Sequence, residues 1–197
     1  CYRHTQFPAK YRGGMFLLDW TFGKVWYSPV HRQAATFSGH PEDFVVAQGQ
    51  FGFAPTDAEV GPDGSLYLCV GGRGTHGTVY KIRYVGTPEV PVTPPANLDL
   101  AETATAEQKL TYCLTIPQPG SSWARARWVP VATGLGAQAF LNIAMAEERP
   151  VPERLRAIEI VTELFAGVPG SAVEILSIAK SAEVRSHVCW SIAVKPD

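Results

Sequence analysis

The chain has 197 residues, 46% of them hydrophobic, and a formal net charge of −1. That balance excludes a disordered polar chain, and the lack of a basic surplus argues against nucleic acid as a partner. No apolar run approaches the roughly 20 residues that a membrane-spanning helix requires, and the residues from Cys1 onward carry no signal-peptide pattern.

The first part of the chain, to about residue 86, is rich in glycine, aromatic and β-branched residues, which predicts strands joined by tight turns. Gly13–Trp20 and Gly23–Val30 form the first predicted pair, with Asp43–Gly49 as a further, outer strand. Thr56–Gly61, Ser65–Gly71 and Gly77–Val85 form a second set. Pro62-Asp63-Gly64 is the turn inside it, with Gly64 suited to positive φ. The two sets echo each other: an apolar strand, a glycine-containing loop, then Gly-x-Val and an aromatic. Gly23 and Gly77 mark the two copies, 54 positions apart. Four-stranded propeller blades repeat at about 40–50 residues with insertions allowed. Two copies are fewer than a closed ring requires, so the chain is expected to be a piece of a larger protein.

Prolines at 88, 91, 94 and 95 then mark an extended linker. Beyond it the periodicity is helical. "TAEQ" at 105–108 is a capping box with Thr105 as N-cap. Helices are predicted from Ser122 to about Thr133, over Ala137–Glu147, from Pro152, over Ala172–Lys180, and over Ala182–Val194 behind a cap at Ser181. The helix from Pro152 offers Leu155, Ile158, Val161, Thr162 and Phe165 as its apolar face, and Gly167 stops it. Short loops imply antiparallel, stacked neighbours. Trp123, Trp128 and Trp190 read as core residues. The four cysteines, Cys1, Cys69, Cys113 and Cys189, include no CxxC pair. Cys69 and Cys189 fall in apolar surroundings and are expected to be buried.

In a propeller, second-to-third-strand loops and blade crossovers emerge on one face. Three loops converge there: Asp19–Phe22, Gln50–Thr56 and Gly71–His76. The candidate binding residues are therefore Arg73, His76, Asp19, Trp20, Thr56 and Asp57, with Phe53 as a further stacking surface. Arg73 is a permanent cation suited to a carboxylate-bearing ligand, or a solvated loop arginine paired with Asp57 or Asp19. His76 is a proton acceptor or an exposed turn histidine. Asp19 beside Trp20 offers a carboxylate and an aromatic platform for a sugar; alternatively Asp19 closes its own turn and Trp20 packs between blades. The residues do not identify a catalytic group, and no metal ligand set is read from them. "GGRGTHG" runs from strand to strand and lacks the helix N-terminus of a phosphate loop.

The segments "CYRHTQFPAKYRGGMFLLDWTFGKVWYSPV" and "GFAPTDAEVGPDGSLYLCVGGRGTHGTVYKIRY" resemble the end of a sugar dehydrogenase-like propeller of the glucose and sorbosone type. The tail "ERLRAIEIVTELF" with "AEVRSHVCWSIA" resembles HEAT-type repeats, as in the large modular proteins of planctomycete-type bacteria. The fold class this implies is α+β in two domains: a partial β-propeller, its last one or two blades, over 1–86, a proline-rich linker over 87–103, and an α-helical HEAT-like repeat domain over 104–197. The resemblance implies a periplasmic or exported quinoprotein that oxidises a sugar or other alcohol, with pyrroloquinoline quinone and calcium in the parent protein. It also implies a downstream cytochrome c module as partner, and a histidine base from an earlier blade. The family's basic second-to-third-strand loop reads "DWTFG" here, with no arginine before Gly23. The alternative is a non-catalytic propeller and HEAT scaffold that binds carbohydrate, or a protein partner through its helical repeats. The chain alone is expected to be inactive, because open sheets leave unpaired edges.

Overall fold

A computed structural model describes residues 1–33, 36–49, 52–72, 76–90 and 99–195. These residues fall into two compact units, one drawn from Cys1–Leu98 and Pro117–Ala124, the other from Asp99–Ile116 and Arg125–Asp197. The fold is mixed α and β, with three small antiparallel sheets and six helices among the described residues. No sheet closes into a ring or barrel among them.

In the first unit a single 3-10 turn, Ala9–Tyr11, leads into β1 (Met15–Asp19) and β2 (Lys24–Ser28). A small hairpin follows, β3 (His31–Gln33) with β4 (Thr36–Ser38), and then β5 (Glu42–Val46). The second set is β6 (Ala54–Val60), β7 (Leu66–Gly71) and β8 (Thr78–Ile82). The sheets run β1-β2-β5, β3-β4 and β6-β7-β8. Both larger sheets have the strand order read from the sequence, and the β3–β4 hairpin is new. Its six residues are exposed, so they carry no alternation to betray a strand.

Period-two alternation builds the core of this unit. Leu66, Leu68 and Val70 of β7 are buried on one face, with Val25 and Tyr27 of β2. The same alternation turns Cys69 to the opposite face, where it is exposed; the expectation that it is buried fails for that reason. Tyr2 and Phe7 stack at 4.8 Å, and Phe16 meets Phe44 at 4.6 Å, so an aromatic cluster seals the cluster of Tyr2, Phe7, Val60 and Leu66. Residues 117–124 join the strand unit by their hydrogen bonds. The Gln118 side chain accepts from the Arg3 amide at 2.7 Å and donates to the Cys1 carbonyl at 2.9 Å. The Trp123 indole donates to the Val60 carbonyl at 2.7 Å.

The helices are α1 (Ala106–Thr115), α2 (Ser122–Leu135), α3 (Ala137–Met145), α4 (Val151–Leu164), α5 (Gly170–Leu176) and α6 (Ala182–Val194). Thr105 and Gln108 form the expected capping box, and Ser181 caps α6 through the Val184 amide. The α4 helix ends at Leu164, and the chain reverses through Ala166 and Gly167, both at positive φ. Because α4 packs against α1, α3 and α6, its buried set is broader than the predicted face. Arg154, Ala157, Ile158, Ile160, Val161 and Thr162 are buried, whereas Leu155 and Phe165 are only half-buried. Trp128 is fully buried, with the Arg156 guanidinium 4.5 Å above its ring. Trp190 and Cys189 are exposed, against expectation, because α6 turns Val184, Val188 and Ser191 inward instead. Among the described residues no helix is long and apolar enough to cross a membrane.

Candidate functional site

The turn between β1 and β2 is built by Asp19. Its carboxylate accepts from the Phe22 amide at 3.0 Å and from the Trp26 indole at 3.4 Å. These donors, the Phe22 amide first, hold the Asp19 carboxyl below the usual carboxylate range, with the Lys24 charge adding to them. Lys24 is itself paired with Asp43 at 3.1 Å and lies over the Trp26 ring at 4.7 Å. Asp19 therefore does close its own turn. Trp20 does not pack between sheets: it is 56% exposed, and Phe22, which sequence reasoning did not single out, is 78% exposed. A phenylalanine placed in a turn between two strands was the available signal.

Three observations fix which sheet ends lie together. Gly23, at φ +66, is so close to the start of β6 that a Cβ there would meet the Phe53 carbonyl at 2.8 Å. Ala54 pairs with Gly71 at the end of β7. Val70 pairs with Thr78 at the start of β8. The Asp19–Gly23 turn, the start of β6 and the β7–β8 connection thus share one end of the strand unit. A groove of about 400 Å³ opens nearby, lined by Val46, Gln48, Phe53, Leu68, Tyr80 and Ile82 among others.

His76 is exposed, two residues before β8, at that same end. Thr56 and Asp57 lie farther along β6, where the pairing register shifts between Pro55 and Asp57. The Thr56 hydroxyl donates to the Cys69 carbonyl at 3.3 Å, and the Asp57 carboxylate accepts from the Ala58 amide at 2.8 Å. Both side chains thus serve the strand locally. Arg73 lies outside the described residues. The structure brings Asp19, Trp20 and Phe53 to the end that also carries the His76 segment, and Thr56, the third residue of β6, lies against Gly71 there.

Among the described residues no three His, Cys, Asp or Glu side chains converge on a metal-sized site. The described cation of the turn, Lys24, faces Asp43. No chemical step is derived through a quinone or a calcium ion. What the arrangement can do is bind: two exposed rings offer apolar faces, and the ionised Asp19 offers acceptor lone pairs beside them. No protein-family model matches the chain, and no curated protein or solved structure matches it.

Proposed function

We propose that the chain is a propeller-type binding module whose two larger sheets are neighbouring blades, whose helices are HEAT-like repeats, and whose Asp19–Phe22 turn receives a carbohydrate. One observation carries the reading: Trp20 and Phe22 stand exposed on a turn braced by Asp19, at the end shared with the start of β6. Aromatic rings bury most of their surface in ordinary cores, so two on one turn tip mark a contact surface. A sugar ring can lay its C–H face on the indole while its hydroxyls donate to the Asp19 carboxylate. The helical unit then serves as a docking scaffold and not as part of the sugar site.

The test is a calorimetric titration of the chain with a panel of neutral and acidic oligosaccharides. Trp20→Ala is expected to weaken binding at least about tenfold, equivalent to about 1.4 kcal/mol, with an unchanged circular dichroism spectrum. Binding by no member of the panel, or equal binding by the variant, would remove the proposal. The same preparation, given pyrroloquinoline quinone, calcium and the sugars, is expected to reduce no dye. Turnover would replace the binding role by sugar oxidation.

A further inference from the structure

At the opposite end of the strand unit, the N-terminal residues fold onto the turn between β6 and β7. We propose that His4 is a pH-operated latch: its neutral imidazole holds residues 4–7 against the β6–β7 turn, and its protonation lets that segment lift away.

The ring's hydrogen bonds fix its protonation state in the closed segment. His4 is 1% exposed. Its Nδ1 accepts from two backbone amides, Thr5 at 2.9 Å and Gln6 at 3.2 Å. Accepting at Nδ1 puts the proton of the neutral ring on Nε2. That atom is buried beside the Pro62 carbonyl and makes no hydrogen bond of normal geometry. Imidazolium carries an N–H at both nitrogens, so a second proton would aim a donor at two donors. Both hydrogen bonds from the amides must break before the ring can be charged. The closed segment therefore accepts only the neutral form.

Neighbouring side chains add contacts between the segment and the rest of the strand unit. The Tyr2 hydroxyl donates to the Gly64 carbonyl at 2.8 Å and accepts from the Phe7 amide at 3.0 Å. The Gln6 side chain donates to the Tyr84 carbonyl at 2.7 Å and accepts from the Tyr84 amide at 3.1 Å. Gly64, at φ +78, lies so flush that a Cβ there would collide with His4 and Gln6. Residues 1–3 are tied separately, by the Tyr2 backbone to Gly13 and Gly14 and by the Gln118 side chain, so the ring governs residues 4–7.

The charged groups around the ring are few. Asp63 of the turn favours the imidazolium, but it accepts from Ser65 and is paired with Lys81 of β8 at 2.7 Å. Arg12 reaches the Thr5 and Phe7 carbonyls at 3.4 Å, and its charge is paired with Glu89 at 3.6 Å. The Tyr2 hydroxyl, pushed up to about 12 chiefly by burial, stays neutral throughout. Burial outweighs Pro62 and Asp63 and pulls the His4 pKa below the ordinary imidazole value. The sign follows from that direction. An imidazole in the open segment titrates near about 6.5. The latch is fully closed above that pH and loosens as pH falls toward the lower closed-state value, by up to about tenfold per pH unit.

The experiment is amide hydrogen exchange on the full chain between about pH 7.5 and 5, read as protection factors. The Thr5, Gln6, Phe7 and Tyr84 amides are expected to lose protection together as pH falls, while the Leu68 amide in β7 keeps its own. His4→Asn retains an acceptor near the Nδ1 position and cannot be protonated, so its protection is expected to be flat over this range. Constant protection in the parent, the same loss in His4→Asn, or a loss that includes Leu68 would each overturn the latch. Should His4→Asn fail to fold, the His4 ring is titrated directly by NMR. A midpoint below the ordinary imidazole value that coincides with the amide loss supports the proposal, and a midpoint at or above it overturns it.

Discussion

Arg154 offers the sharpest test of how the helical unit holds together. It lies in the first turn of α4, is 1% exposed, and reaches back to the end of α3. Its Nε donates to the Ala144 carbonyl at 2.8 Å and one terminal nitrogen donates to Glu147 at 2.9 Å. Ala144 is in the last turn of α3, where carbonyls have no intrahelical donor. Arg154→Met keeps much of the aliphatic volume and removes both donors. The buried charge-assisted bond and the orphaned Ala144 carbonyl together are expected to cost about 3 kcal/mol. Glu147 stands at the surface, so its share is small, and Glu147→Gln is expected to cost only a minor fraction of that. Removing an arginine from a helix N-terminus returns a few tenths of a kcal/mol. The assay is urea denaturation followed by helical circular dichroism, with both variants measured beside the parent. A loss under about 1 kcal/mol for Arg154→Met, or equal losses for the two variants, would refute the reasoning.

Three further outcomes follow from the same structure. Ser191→Ala removes the acceptor of the Val168 amide at 3.1 Å and one partner of the Thr162 hydroxyl, which keeps its bond to the Ile158 carbonyl at 2.7 Å; denaturation should show a loss of about 2 kcal/mol, because the Val168 amide stays buried without an acceptor. Burial pushes the Cys113 thiol up to about 11, so mass spectrometry after alkylation near neutral pH should find the exposed Cys1, Cys69 and Cys189 modified and Cys113 spared until the chain unfolds. Thr105→Ala deletes the acceptor of the Gln108 amide at 3.2 Å and should lower the stability of the helical unit by about 1 kcal/mol in the same urea assay.

Local chemistry was legible in the sequence wherever one or two residues decide it. The turn at Pro62–Gly64, the Thr105 capping box and the Ser181 cap each rest on neighbours within three positions, and all three are present. The β1–β2 and β7–β8 pairings were legible because each joins short runs of apolar, aromatic and β-branched residues across a glycine-containing connection. What escaped depended on partners far along the chain. Arg154 stands four positions before Ile158 and seven before Val161, on their side of the helix, yet an arginine at apolar spacing reads as a solvated residue until a carbonyl such as that of Ala144 is seen beside it. His4 is hidden for the same reason: its burial comes from a turn 60 positions away. At the candidate site, Asp19 as turn-closer and Trp20 as platform were both in view. Their surroundings were not, since the Trp26 indole reaches Asp19 through the β1–β2 pairing and the Phe53 carbonyl approaches Gly23 from a different sheet.

The shared end of the two larger sheets is the claim on which the carbohydrate site rests. It is tested most directly by paramagnetic relaxation from a spin label at position 21 (Thr21→Cys, with Cys1, Cys69 and Cys189 replaced by serine). The seven residues of β6 span about 20 Å at strand rise, enough to separate its two ends by this measurement. Broadening of the Ala47, Phe53 and Gly71 amides, with Gly61 and Gly64 left sharp, is the predicted result. Broadening of Gly61 and Gly64, with Phe53 and Gly71 left sharp, would contradict it.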